Sequence, residues 1–266
     1  MSENAWQAKL RSIAGAGPPP RPASTTGVRG RGEEGLPHPV HVDSTEDIRT
    51  YWLDRVGQHI TDTYAGVPIS KFPEDLRVYE HLMWVSRANV VIEIGTQWGG
   101  GTLWFRDRLR TMEHYGRIAA SHVFSIDHKI RGAVKAVAAA DPSYSENITM
   151  MKGDVRDPSL PGKLDRLLPR DSRCFVVEDS AHTYDTTFAA LNGFSHLVPL
   201  GGYFVVEDGC VDIEEMRASE GWPRGVLAAL DRWLATPDGS KFAVRRDLEC
   251  YGLTCHPHGF LKRTSK

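Results

Sequence analysis

Five short, almost wholly apolar runs recur along this 266-residue chain: "NVVIEIG" (89–95), "HVFSIDH" (122–128), "ITMMKGD" (148–154), "CFVVEDS" (174–180) and "GYFVVEDG" (202–209). Runs of this length with no apolar/polar alternation read as strands buried on both faces. Between them the apolar period changes to that of a helix. In "KFPEDLRVYEHLMWVS" (71–86), Pro73 suits a first helical turn and Glu74 and Asp75 complement its positive end. Leu76, Tyr79, Leu82 and Met83 in that stretch keep helical spacing. A second helix is predicted from about Gly101, carrying Leu103, Trp104, Phe105 and Leu109, and further ones over "RGAVKAVAAA" (131–140), "TYDTTFAALNGFSHL" (183–197) and "GVLAALDRWLA" (225–235). Strands that alternate with helices give βαβ units, and so an α/β fold with a mostly parallel sheet and helices on both faces. The end, "KFAVRRDLECYGLTCHPHGFLKR" (241–263), reads as a closing antiparallel pair.

Composition adds limits. Residues 15–39 are rich in Pro, Gly and Arg and too poor in apolar groups to offset their ordering entropy. Residues 1–41 are therefore expected to be an arm and 42–266 one domain, leaving open whether the arm wraps a neighbouring subunit. With 32 basic and 34 acidic residues the net charge is −2, which steers the protein to neither nucleic acid nor membrane. No apolar run approaches the roughly 18 residues of a membrane span, and the first twenty residues lack the continuous apolar core of a secretory signal. The four cysteines form no CxxC pair, which suits reduced thiols and a cytoplasmic location. Cys250, Cys255, His256 and His258 are zinc-ligand types, but their spacing fits no usual structural zinc pattern, and a hairpin edge explains them as well.

Right-handed crossovers place the C-terminal ends of the parallel strands on one rim, where ligands of open α/β sheets bind. Four features fall there. "EIGTQWGGG" (93–101) is a glycine-rich turn able to approach a ligand, with Glu93, Gly95, Thr96, Gly99 and Gly100 as candidate cofactor contacts. It is not GxGxxG, because position 97 is Gln, so a pyrophosphate cradle is disfavoured. Asp127 stands where an acid would take ribose hydroxyls, or would cap the next helix. Asp154 suits the adenine side of such a pocket, or a plain turn. Asp179, Glu207 and Asp208 end two adjacent strands, and no basic residue is evident between them. Three converging carboxylates repel one another, and a hard divalent cation would resolve the conflict, or these residues are helix caps and surface acids. Glu178, one residue before Asp179, is expected to face the other way. His182 follows at a helix start, where histidine is commonplace, and is a candidate general base.

Together, "YAGVPISKFPEDLRVYEHLMW", "VVIEIGTQWGGGTLWF", "EDSAHTYDTTFAAL", "LVPLGGYFVVEDG" and "LTCHPHGFLKR" resemble the cephalosporin hydroxylase and rhamnosyl O-methyltransferase family of class I S-adenosylmethionine-dependent enzymes. They are also similar to the metal-dependent enzymes that O-methylate macrolide sugars. The resemblance implies a Rossmann-like class I methyltransferase fold with a seven-stranded sheet. It implies S-adenosylmethionine on Glu93, Gly95 and the turn through Gly99 and Gly100, with Asp127 at the ribose and Asp154 on the adenine side. It also implies Mg²⁺ on Asp179, Glu207 and Asp208, with His182 as base. The acceptor would be a hydroxyl of a small, glycosylated natural product, with Tyr64, Trp98, Tyr184 and Trp222 as candidate walls, and the protein a homo-oligomer. Open alternatives are a β-lactam or other non-sugar acceptor, an NAD(P)-dependent oxidoreductase on a similar sheet, and a non-enzymatic partner that keeps the fold.

Overall fold

The structure, a computed structural model, describes residues 47–250 and 252–266, so the predicted arm (1–41) lies outside the described residues. The description begins with a helix that the sequence reading did not predict, α1 (Ile48–His59). Its amphipathic stripe is thin, with only Trp52 and Val56 buried. Polar contacts add to this: the Asp47 carboxylate caps the N-terminus by accepting from the Arg49 and Thr50 amides, the Trp52 indole N–H donates to the Met216 carbonyl at 2.6 Å, and the Arg55 guanidinium donates to the Glu74 carboxylate at 2.6 Å.

A two-residue hairpin, β1 (Thr63–Tyr64) with β2 (Val67–Pro68), leads into α2 (Pro73–Ser86), which starts at Pro73 as expected. The alternation then runs β3 (Val90–Ile94), α3 (Gly100–His114), β4 (His122–Asp127), α4 (Arg131–Ala140), β5 (Ile148–Lys152), a short α5 (Leu160–Asp165), β6 (Cys174–Glu178), α6 (Tyr184–Phe194), β7 (Tyr203–Val206) and α7 (Val226–Leu234). It closes with β8 (Phe242–Val244) and β9 (Phe260–Arg263). Thr183 and Thr186 form a reciprocal capping box at the start of α6.

The seven larger strands form one sheet in the order β5-β4-β3-β6-β7-β9-β8. The first five pair in parallel, and β9 lies antiparallel to both β7 and β8. This is the mostly parallel seven-stranded sheet with an antiparallel terminal pair that was expected. Neighbouring residues on each strand feed opposite cores. Val176 joins Ile92, Phe204 and Trp233 on one face, whereas Phe175 and Val177 join Tyr79, Leu103 and Phe105 on the other. From β3 the chain runs outward to β4 and β5, then returns to place β6 on the other side of β3. The β3/β6 junction is thus a topological switch point, where open α/β sheets leave a crevice for ligands.

Candidate active site

A cavity of about 810 Å³ opens at that crevice, within the size range of small-molecule sites. The two strand ends are pinched together there. The Asp179 amide donates to the Ile94 carbonyl at 2.7 Å, and the Gly95 amide donates to Ile126 at 2.8 Å. Gly95 has φ +107°, and a Cβ on it would lie 1.8 Å from the Asp179 carbonyl oxygen. No side chain fits without parting β3 from β6. Gly95→Ala is therefore expected to cost about 2–5 kcal/mol of stability. Urea unfolding checks this, and an unchanged midpoint contradicts it.

Of the predicted cofactor residues, Gly95, Asp127 and Asp154 line the cavity, together with Gln97 and Trp98 from the same turn. Glu93, Thr96, Gly99 and Gly100 do not line it; they build its wall from behind. A Cβ on Gly100 would meet the Pro68 carbonyl oxygen at 2.2 Å, and one on Gly99 the Val137 side chain at 2.5 Å. Those glycines let α3 start against the β1–β2 hairpin and α4. Glu93 is 1 % exposed and accepts from the Ser125 and Thr102 hydroxyls. Burial pushes its pKa up to about 7, against the opposing pull of Lys71. The Asp127 carboxylate accepts from the Thr96 and Gln97 amides, both at 3.1 Å, and from the Lys129 amide at 2.8 Å. It fastens the turn while its rim faces the cavity. Asp154 is held down to about 2 by its hydrogen bonds from Arg156, which leave it ionised at the cavity mouth.

The acidic end departs from expectation at one residue. A lysine does stand between the carboxylates: Lys71 Nζ donates to Asp179 Oδ2 at 2.8 Å and to Glu207 Oε1 and Oε2 at 2.7 and 2.8 Å. Lys71 is 4 % exposed. Burial alone would lower its pKa, but Asp179, Glu207 and Glu93 reverse this and hold it above the ordinary lysine value. Unscreened repulsion between Asp179 and Glu207 is therefore not an argument for a metal. Little in the local pattern points to this, because Lys71 precedes Asp179 by 108 residues and its neighbourhood reads as a helix entry. Its flanks, Ile69 and Phe72, are buried core and were the one faint signal.

Behind Lys71 the polar chain continues. Tyr79 Oη donates to Glu207 Oε1 at 2.8 Å and meets His256 Nε2 at 2.8 Å, while His256 Nδ1 faces the Asp208 amide at 3.0 Å. An amide can only donate, so Nδ1 accepts, and the imidazole proton sits on Nε2 and points to Tyr79. The C-terminal Cys/His set does not assemble as one four-ligand centre. Cys250 is exposed, His258 contacts Arg246 at 2.8 Å, and Cys255 and His256 are buried beside Asp208. Asp75, expected to serve the helix dipole, is buried and accepts from the Thr254 hydroxyl and the Cys255 amide, pinning this segment to α2.

Asp208 and His182 both have positive φ, 56° and 54°, so the two loops turn sharply toward each other. His182 Nε2 lies 3.3 Å from Asp208 Oδ2 and 3.8 Å from Asp179 Oδ1, while its Nδ1 is buried without a partner. Burial alone would lower the His182 pKa, but Asp208, Asp179 and Glu178 raise it overall. Donor atoms of Asp179, His182 and Asp208 all lie within 4.8 Å of one another, as do those of Glu207, Asp208 and His256. Asp179 and Asp208 carry 22 % and 29 % side-chain exposure and line the cavity, whereas Glu207 carries 3 %. The cavity-facing carboxylate pair thus fits a hard divalent cation. Glu207 is engaged inward by Lys71 and Tyr79. Of the candidate acceptor aromatics, Trp98 and Trp222 line the cavity, whereas Tyr64 bonds Asp107 and Tyr184 stacks on Phe188 outside the lining. His59 also lines it, a residue the sequence reading missed along with α1.

Comparison with known proteins identifies the family and the fold. The sequence model of the family described as Rhamnosyl O-methyltransferase/CmcI matches residues 57–264. A rhamnosyl O-methyltransferase of Mycobacterium bovis (strain BCG / Pasteur 1173P2) is 25% identical over 209 residues, covering 76% of this chain and 78% of that protein. An apo structure of CmcI superposes with a TM-score of 0.57 at 21% identity, covering 88% of this chain and 93% of that one. A CmcI structure with Mg and SAM gives 0.56 at the same identity and coverage. No helix among the described residues is long and apolar enough to cross a membrane. The chain belongs to the rhamnosyl O-methyltransferase/CmcI family and is an O-methyltransferase on the class I S-adenosylmethionine-dependent fold.

Proposed function

We propose that this protein methylates a hydroxyl of a small natural product, a rhamnose-like deoxysugar of a glycosylated antibiotic, from S-adenosylmethionine and with Mg²⁺ or another hard divalent cation. One observation carries the reading. A single cavity is lined by Gly95, Asp127 and Asp154 and also by Asp179, His182 and Asp208. The names of the curated relatives support a sugar acceptor, and CmcI has been solved with Mg and SAM.

When bound, the two groups supply an electrophilic methyl and a charge that makes a sugar hydroxyl easier to deprotonate. Asp127 would accept hydrogen bonds from the ribose hydroxyls and Asp154 would stand on the adenine side, with Trp98 lining the same cavity. Asp179 and Asp208 would hold the cation, and Lys71 keeps Asp179 in place through its 2.8 Å hydrogen bond. His182 takes the acceptor proton at Nε2. Its raised affinity for a proton comes from Asp208 and Asp179, and a cation on those carboxylates offsets it. Holding acceptor and donor in line contributes about 7–11 kcal/mol to the rate.

His182→Ala is expected to cut turnover by about two to four powers of ten while binding of S-adenosylhomocysteine persists. Steady-state assay with a rhamnosylated acceptor, paired with calorimetry, reads both; an unchanged rate removes His182 as the base. The sugar itself is tested by screening glycosylated natural products against their aglycones. Methylation of the aglycone at equal rate contradicts the sugar assignment.

A further inference from the structure

Asp208 faces a third set of donors that the methyl-transfer reading does not use. Its carboxylate, Cys210 Sγ and Cys255 Sγ lie within 4.8 Å of one another. Both thiols are free and nearly inaccessible from outside, at 2 % and 5 % exposure, yet both line the cavity. The two segments that carry them run side by side. The Cys210 amide donates to the Cys255 carbonyl at 3.2 Å, and a Cβ on Gly209 would meet the Pro257 carbonyl at 2.7 Å. Ligand atoms of a tetrahedral zinc centre stand roughly 3.5–3.8 Å apart, as follows from Zn–S of about 2.3 Å and Zn–O of about 2.0–2.2 Å.

We propose that Asp208, Cys210 and Cys255 form a second cation site, selective for thiophilic divalent ions of the Zn²⁺ class. Two sulfur ligands select such ions over Mg²⁺, which prefers oxygen. Three protein ligands leave a fourth position toward the cavity, the pattern of an open zinc site. Binding releases the two thiol protons, two RSH and one M²⁺ giving M(SR)₂ and two H⁺, and the Asp208 carboxylate completes the set. Because Asp208 cannot serve both sites with the same geometry, a thiophilic ion withdraws it from Asp179 and His182. That inhibitory consequence rests on the function proposed above; the site itself does not.

Cobalt(II) is the probe, since thiolate ligands give it near-ultraviolet charge-transfer absorption and oxygen ligands do not. Titrated into the reduced full-length chain in excess Mg²⁺, one equivalent is expected to produce the band, and Zn²⁺ to abolish it. Cys210→Ser and Cys255→Ser should each lose the band, whereas Cys174→Ser and Cys250→Ser should keep it. Should the serine variants fail to fold, the unaltered protein suffices: Zn²⁺ should shield Cys210 and Cys255, but not exposed Cys250, from alkylation mapped by mass spectrometry. No thiolate band, a band that survives both serine changes, or alkylation equal with and without zinc overturns the proposal. Calorimetry with S-adenosylhomocysteine on the same samples separates the two readings. The band without that binding defeats the methyl-transfer reading alone, and binding without the band defeats the zinc site alone.

Discussion

Asp179→Asn is expected to abolish methyl transfer while S-adenosylhomocysteine still binds. The substitution keeps the volume and a carbonyl oxygen that can accept from Lys71, so the pinched junction with Gly95 is undisturbed. It removes one of the two carboxylate charges that face the cavity beside His182. A hard cation depends on anionic oxygen ligands, so affinity for it should fall steeply. Without the cation the acceptor hydroxyl keeps a proton that an imidazole cannot remove at neutral pH. Turnover with and without EDTA, alongside calorimetry, makes the comparison. The native enzyme should lose activity in EDTA and regain it with Mg²⁺; full activity of the variant, or of the native enzyme in EDTA, removes the metal from the account.

The second large effect is expected in folding. Lys71→Met should destabilise the protein by about 3–5 kcal/mol, because it strips the counter-charge from a buried carboxylate. Glu207 is 2 % exposed and would keep only the Tyr79 hydroxyl as a close partner. The sign with pH follows from the native lysine. Its pKa in the folded state stands above the ordinary 10.5, so its contribution is complete below pH 10.5 and is lost only as pH rises through the folded value. Native stability should thus show no Lys71-linked change between about pH 6 and 9. Urea unfolding of both proteins at several pH values measures this. A deficit under about 1 kcal/mol would place the pair among ordinary surface bridges.

Much of the framework was legible because local pattern and tertiary role coincide. The five apolar runs became the five parallel strands, and the rim rule brought Gly95, Asp127, Asp179 and Asp208 to one crevice. What stayed hidden depended on contacts across long separations. α1 has little amphipathic signal and is held by a cap, an indole hydrogen bond and the Arg55–Glu74 ion pair to α2. Lys71 acquires its role only when the start of α2 folds against β6 and β7. The glycines of the turn were visible, but not their separate tasks. Gly95 permits the close approach at the cavity, whereas Gly99 and Gly100 serve packing behind it. His256, set among zinc-type residues in the sequence, braces Asp208 and Tyr79.

Calorimetric titration with S-adenosylhomocysteine and, separately, with NADH, each with and without Mg²⁺, decides between the cofactors. S-adenosylhomocysteine is expected to bind in the micromolar range and NADH not at all. Binding of NADH in its place would contradict the methyl-transfer reading, and would require another role for the turn at Gly95 and for the carboxylates of Asp179 and Asp208.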